Sequence, residues 1–224
     1  MLESLRRLTT CIRTGWHLLK ELRQTVYGMY KITKLPSPCV TIFGGSHLPI
    51  DGHYARQAGE IAQRLVEAGI AVLTGGGAGI MQAANCAAAA ATKDKGRIMT
   101  MGIGVRHLPE EPGPNVCVGK PIMLDYFFSR KWLLINYSIG FCVFPGGLGT
   151  VDELSDLLNL IHTKKFGPVP VILMGRSFWK PYLDWITTSQ QHGLIVPEIM
   201  PYLLVTDDVA EAVAKLHAHC KQCV

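Results

Sequence analysis

The chain contains no apolar run approaching the roughly 18 residues of a membrane-spanning helix, and its first 30 residues lack the uninterrupted apolar core of a secretory signal peptide. A soluble, cytoplasmic protein is expected. Charge is scarce: 17% of the 224 residues are charged against 48% hydrophobic, too little charge and too much apolar bulk for a chain disordered throughout. Internal repeats are absent, as are low-complexity tracts beyond Ala87–Ala91. Positive charge is missing where a nucleic-acid reader would need it. The formal net charge is +5, but residues 1–38 hold seven Lys/Arg and two Asp/Glu, and the remainder holds fifteen of each. A phosphate-tracking surface on the main body therefore has no compositional support. A compact disulfide framework is lacking too. Cys11, Cys39, Cys86, Cys117, Cys142, Cys220 and Cys223 form an odd, scattered set that suits reduced thiols in a reducing compartment.

What is present divides at Pro38. Before it, Leu2, Leu5, Leu8, Ile12, Trp16, Leu19, Leu22, Val26 and Met29 recur at steps of three or four and predict an amphipathic helix, with Arg6, Arg7, Arg13, Lys20 and Arg23 largely off the stripe. Such a helix can lie on a membrane or act as a presequence; the plainer account, a helix docked on the domain or a partner subunit, is preferred. Pro36 and Pro38 end it. Residues 1–38 are read as helix and linker, and 39–224 as one catalytic or binding domain.

After Pro38, short apolar runs alternate with longer helical ones. Residues 39–43, 70–74, 98–104, 140–144 and 169–174 read as buried strands; helices fit 54–68, 80–91, 123–138, 150–163, 178–189 and 207–219. Runs this apolar suit a mainly parallel sheet covered on both faces, giving an α/β fold: a three-layer, Rossmann-like, doubly wound domain that binds ligands beyond the C-terminal strand ends.

Three glycine clusters follow predicted strands: Phe43-Gly-Gly-Ser46, Thr74-Gly-Gly-Gly-Ala-Gly-Ile-Met81 and Phe144-Pro-Gly-Gly-Leu-Gly-Thr-Val-Asp-Glu153. Glycine there lets backbone N–H groups approach a ligand, and a following helix N-terminus favours an anion. Ser46, Gly75, Gly76 and Gly77 are accordingly candidate phosphate contacts, although a glycine cluster can also simply make a tight turn. Two ready-made nucleotide sites fail. The dinucleotide fingerprint needs Gly or Ala where the frames from Gly75 and Gly147 place Ile80 and Asp152, and Gly119-Lys120 is followed by Pro121 rather than the magnesium-binding Ser or Thr of a P-loop. A mononucleotide remains.

The densest constellation pairs Asp125-Tyr-Phe-Phe-Ser-Arg-Lys131 with Pro145–Glu153. Thr150 and Glu153 have the spacing of a capping box, Thr at N-cap and Glu at N3. At a ligand edge, however, Glu153 could face a bound sugar. Arg130 has a plain alternative as a surface ion pair of little energetic weight.

Ser129-Arg-Lys131 together with Pro145-Gly-Gly-Leu-Gly-Thr-Val-Asp-Glu153 resembles the paired signature of the LOG (Lonely Guy) family, cytokinin riboside 5′-monophosphate phosphoribohydrolases and related nucleotide nucleosidases. The resemblance runs from about Val40 to Ile186. It implies hydrolysis of the N-glycosidic bond of a nucleoside 5′-monophosphate, with Arg130 and Glu153 as the catalytic pair. It also implies a substrate site formed by Gly146, Gly147, Leu148, Gly149 and Thr150, joined by Lys131 and by Asn159, where many members have Thr. No cofactor and no metal are implied, and a homo-oligomer is expected. Phe127-Phe128-Ser129 replaces the Met-His pair of the plant enzymes; this form, the long N-terminal helix and the loop 104–115 resemble a bacterial branch, and leave the preferred base open between AMP and a cytokinin riboside monophosphate. The competing reading is a non-catalytic nucleotide or molybdenum-cofactor carrier, since glycine turns hold phosphate whether or not chemistry follows. A pyridoxal-phosphate decarboxylase lacks a recognisable Schiff-base lysine. The C-terminal His217, His219, Cys220 and Cys223 have zinc-ligand types, but a frayed tail is the preferred account.

Overall fold

The computed structural model describes residues 2–93, 96–106, 113–195 and 197–222. Its elements run α1 (Leu2–Ile32), β1 (Cys39–Phe43), α2 (His53–Glu67), β2 (Ala71–Thr74), α3 (Ile80–Ala91), β3 (Thr100–Val105), β4 (Ile122–Leu124), α4 (Phe127–Asn136), β5 (Phe141–Val143), α5 (Leu148–His162), β6 (Val171–Met174), α6 (Arg176–Gln191), a 3₁₀ helix (Pro197–Tyr202), β7 (Leu203–Thr206) and α7 (Val209–Gln222). The strands form one sheet in the order β4-β3-β2-β1-β5-β6-β7, and every pairing is parallel.

Successive strand residues feed opposite faces, as the period of two requires. Cys39 and Phe43 of β1, Leu73 of β2 and Leu173 of β6 join one core with Leu133 of α4, Leu157 of α5 and Trp179 of α6. Val40 and Ile42, Val72 and Ile172 join the other, with Ile61 and Leu65 of α2, Ala84 of α3 and Leu216 of α7. Burial of each large apolar side chain contributes about 1.5–3 kcal/mol, so two full cores account for strands that read as unbroken apolar runs.

Three expectations change. The helix predicted over 123–138 is two elements: Ile122–Leu124 pairs with Ile103–Val105 as an edge strand, and α4 starts only at Phe127. The other edge strand, β7, was also missed. Both are three or four residues long, too short for periodicity to separate strand from helix. Of the N-terminal stripe, only its last member docks: Met29 is partly buried against the core, just ahead of the buried Ile32 and Leu35, whereas Leu8, Ile12, Trp16, Leu19, Leu22 and Val26 are exposed. No helix among the described residues is long and apolar enough to cross a membrane.

The cysteines are not all free. Cys86 on α3 and Cys117 are disulfide-bonded, with Cα atoms 4.9 Å apart across 31 residues of sequence, a proximity no spacing rule supplies. Cys39, Cys142 and Cys220 are buried thiols; burial, helped by nearby Cys220, pushes Cys39 up to about 11. Cys220 is buried in the core, and Cys223 lies outside the described residues, as do residues 107–112 of the 104–115 loop.

The second glycine turn is fixed by a buried polar network. Asn85 Oδ1 accepts from Thr74 Oγ1 at 2.7 Å and from Asn115 Nδ2 at 3.0 Å, while its Nδ2 donates to Thr100 Oγ1 at 2.7 Å. Asn115 Nδ2 also lies within bonding distance of the Gly76 and Gly77 carbonyls. Because Asn85 is wholly buried, truncation leaves its partners unsatisfied. We expect Asn85→Ala to lower the unfolding free energy by about 1–3 kcal/mol in urea titration; an unchanged midpoint would show that the network contributes nothing.

Candidate active site

The chain leaves β1 toward β2 on one side of the sheet and leaves β5 toward β6 on the other. The loops after these adjacent strands therefore diverge, opening a crevice at the point where doubly wound sheets bind ligands. An 880 Å³ cleft lies there. Gly44, Gly45, Ser46 and His47 line it from the β1 side, Pro145 through Thr150 from the β5 side, and Arg130, Lys131, Asp152 and Glu153 complete its polar lining.

The helix after β5 begins differently from the capping-box expectation. Gly147 is the N-cap and Leu148 the first helical residue, so Thr150 is third and Glu153 sixth, and the reciprocal Thr–Glu cap does not form. The first-turn amides of a 15-residue helix thus remain without intrahelical acceptors at the positive end of its dipole, a setting that favours an anion. The glycines around it serve different ends. A methyl at Gly146 would strike the Thr150 side chain, and one at Gly45 would lie 3.2 Å from Gly146 Cα, so these two let the turns close on each other. The Gly45 amide donates to the Pro145 carbonyl at 3.0 Å. A methyl at Gly147 or Gly149 would meet no protein atom within 4 Å, and the Gly147 φ of −86° does not demand glycine.

Arg130 on α4 and Glu153 on α5 form an ion pair, Nη2 to Oε1 at 2.8 Å, each residue 8% exposed. This is a buried pair, not the surface contact that an arginine usually makes. Arg130 also lies over the Phe127 ring, 5.9 Å from its centroid, and its Nε is buried without a hydrogen-bond partner.

Gly75, Gly76 and Gly77 do not line the cleft, contrary to expectation. They stand behind it. A side chain at Gly75 would overlap Arg130 Nη2, and Gly76, at φ +74°, packs its backbone on Gly102, whose own added methyl would lie 2.7 Å from Gly76 Cα. Asn159 is exposed and away from the cleft. Six residues beyond Glu153, it is turned about 240° around the helix. Lys131 lines the cleft and bridges to Asp152 at 3.1 Å and Asp156 at 3.2 Å. Burial opposes its charge, but these two partners outweigh burial and raise its pKa above the ordinary lysine value.

Sequence reasoning missed His47, Leu48, Met81, Phe127, Asp152 and Phe178 in the lining. His47 directly follows a strand-end glycine turn and Phe178 lies in the first turn of the helix after β6, so the rule that ligands bind beyond the C-terminal strand ends is the signal that points to both.

The segment leading into α4 is held by α1. Asp125 receives Lys20 Nζ at 2.7 Å, Arg106 Nη1 at 2.9 Å and Gln24 Nε2 at 3.3 Å. The Lys20 hydrogen bond, reinforced by Arg106 against a smaller opposing effect of burial, lowers its pKa from 3.8 to about 2. A depressed carboxylate stabilises the fold above its unfolded pKa and loses that contribution as pH falls through the folded value. The stability gap between wild type and Asp125→Asn should therefore be full at pH 5–7 and close between about pH 4 and 2 in pH-dependent urea titrations. A gap independent of pH would assign the loss to packing. The glycines should separate in the same assay. Gly149→Ala is expected to leave stability unchanged or raised by about 0.4–1 kcal/mol, whereas Gly75→Ala, colliding with Arg130, destabilises.

The family described as possible lysine decarboxylase matches residues 81–216. The rice (Oryza sativa subsp. japonica) cytokinin riboside 5′-monophosphate phosphoribohydrolase LOG is 27% identical over 189 residues, covering 80% of this chain and 73% of that protein. The pyrimidine/purine nucleotide 5′-monophosphate nucleosidase of Escherichia coli K12 is 25% identical over 185 residues, and there 80% of this chain spans 40% of the longer protein. Among solved structures, the molybdenum cofactor carrier protein of Chlamydomonas reinhardtii superposes with a TM-score of 0.57 at 22% identity, covering 80% of this chain and 95% of that one. The molybdenum cofactor binding protein of Rippkaea orientalis gives 0.58 at 19% identity, over 80% and 94%. At these identities the two structures establish a shared fold. With the match spanning more than half of its residues, the chain belongs to the family described as possible lysine decarboxylase, the LOG family.

Proposed function

We propose that the protein hydrolyses the N-glycosidic bond of a nucleoside 5′-monophosphate, AMP or a cytokinin riboside monophosphate, to free base and ribose 5-phosphate. The observation that carries this reading is the buried Arg130–Glu153 pair in the same cleft as the α5 N-terminus. The 5′-phosphate would sit on the amides of Leu148, Gly149 and Thr150, with Gly147 and Gly149 leaving room for it. As the C1′–N bond breaks, its electrons go to the base nitrogen, which takes a proton, and positive charge spreads over C1′ and the ring oxygen. A carboxylate next to that charge stabilises the oxocarbenium character and orients the water that adds to C1′. Glu153 has that role. Arg130 holds the carboxylate in place with one arm of a planar fork whose remaining donors can serve substrate oxygens.

Decarboxylation through a Schiff base suits this cleft poorly. Lys131 is the lysine in its lining, and its two carboxylate partners keep it protonated, the unreactive form of an amine nucleophile. A carrier needs the phosphate cradle, but a buried Arg–Glu pair beside the sugar position has no evident use in one.

Incubation with AMP, adenosine and ATP in parallel, with chromatographic separation of products, tests the reading. We expect adenine and ribose 5-phosphate from AMP, with adenosine and ATP far poorer substrates. Glu153→Gln should lower kcat on the order of 10²–10³-fold while AMP binding persists. Undiminished turnover in the variant would remove Glu153 from the chemistry, and binding without cleavage across a panel of monophosphates that includes isopentenyladenosine monophosphate would favour the carrier.

A further inference from the structure

We infer that Glu21 of the N-terminal helix is a positioning residue for Arg130, acting through the first turn of α4; the inference rests on the glycosidase reading above and adds a residue to it.

Along α1, the residues described up to Lys20 are exposed, and then Glu21 is 2% exposed. A carboxylate is placed that deep only where hydrogen bonds replace its water. Glu21 has them. Its Oε1 accepts from the Ser129 hydroxyl, and its Oε2 accepts from the Asp125 backbone N–H at 3.1 Å. These donors bracket the start of α4: Asp125 lies two residues ahead of Phe127, and Ser129 is the third helical residue. The N-cap itself, Tyr126, makes no side-chain cap bond. The negative group at the positive end of α4 is thus supplied by a residue more than 100 positions away in sequence.

The same turn of α1 grips Asp125 from the other side, through Lys20 and Gln24. Together these contacts leave the 125–129 segment little freedom. Arg130 follows Ser129 directly, and its guanidinium must thread between Glu153 at 2.8 Å and Gly75, where even a methyl would not fit. A displacement of about 1 Å at the start of α4 would break that fit, and misplacements of this size cost up to about 10²-fold in rate. Were Glu21 only a tether for α1, its loss would lower stability without altering turnover by the folded enzyme.

The test uses the full chain and the AMP assay. In Glu21→Ala we expect kcat to fall on the order of 10- to 10²-fold, with KM for AMP changing much less. Glu21→Gln should recover most of the loss. Its single carbonyl oxygen can accept from Asp125 N–H, and its amide can donate to Ser129 Oγ, whose one hydroxyl proton can then turn to the Tyr126 carbonyl, 2.9 Å away. A wild-type kcat in Glu21→Ala overturns the inference while leaving the glycosidase reading intact, as does a Glu21→Gln no better than Glu21→Ala. Should Glu21→Ala fail to fold, Ser129→Ala decides: it removes one of the two tethers, and an unchanged kcat overturns the inference. If wild type cleaves no monophosphate, the glycosidase reading falls, and the crystal structure of Glu21→Ala, or of Ser129→Ala if the former does not fold, settles the positioning alone. Retention of the 2.8 Å Arg130–Glu153 contact there overturns it, and its loss supports it.

Discussion

The Arg130–Glu153 ion pair is the constraint around which the cleft is organised. Two charges taken out of water are costly, and removing one partner from such a pair typically destabilises by about 3–5 kcal/mol because the other is left uncompensated. A pair of this kind is a weak source of stability, and here it borders an open cleft. Much of the surroundings follows from the space it needs. Gly75 gives the guanidinium room, Gly76 lies on Gly102, and the Asn85–Asn115 network fixes the turn that carries both glycines.

The three glycine turns look alike in sequence but divide into two physical groups. Gly44, Gly75, Gly76 and Gly146 are small because protein atoms press against them. Gly147 and Gly149 have no neighbouring protein atom where a side chain would stand, so the cleft is open at the start of α5.

The N-terminal helix has two halves with different physics. Its first five turns carry an exposed apolar stripe and three arginines against one glutamate. Its later turns pack one face on the domain, and there Lys20, Glu21 and Gln24 reach the segment that begins α4. A long helix outside the sheet is thereby connected to the segment that leads into the arginine of the cleft through three hydrogen bonds and an ion pair.

Sequence alone determined the parallel α/β architecture, because unbroken apolar strands flanked by helical runs can bury both faces only in a three-layer sheet. It also marked the strand-end turns, and the pairing of Ser129–Lys131 with Pro145–Glu153 singled out Arg130 and Glu153. Tertiary structure decided the rest, since burial and reach depend on contacts between residues distant in the chain. It made Arg130–Glu153 a buried pair, set Gly147 rather than Thr150 as the helix cap, and moved Gly75, Gly76 and Gly77 from the lining to the support behind it. It turned Asn159 away by helical rotation, split residues 123–138 into strand and helix, and joined Cys86 to Cys117. Local pattern reports the period of a segment; which side chains meet depends on how separate segments are packed, and Glu21 meeting Ser129 across 108 residues is the clearest instance.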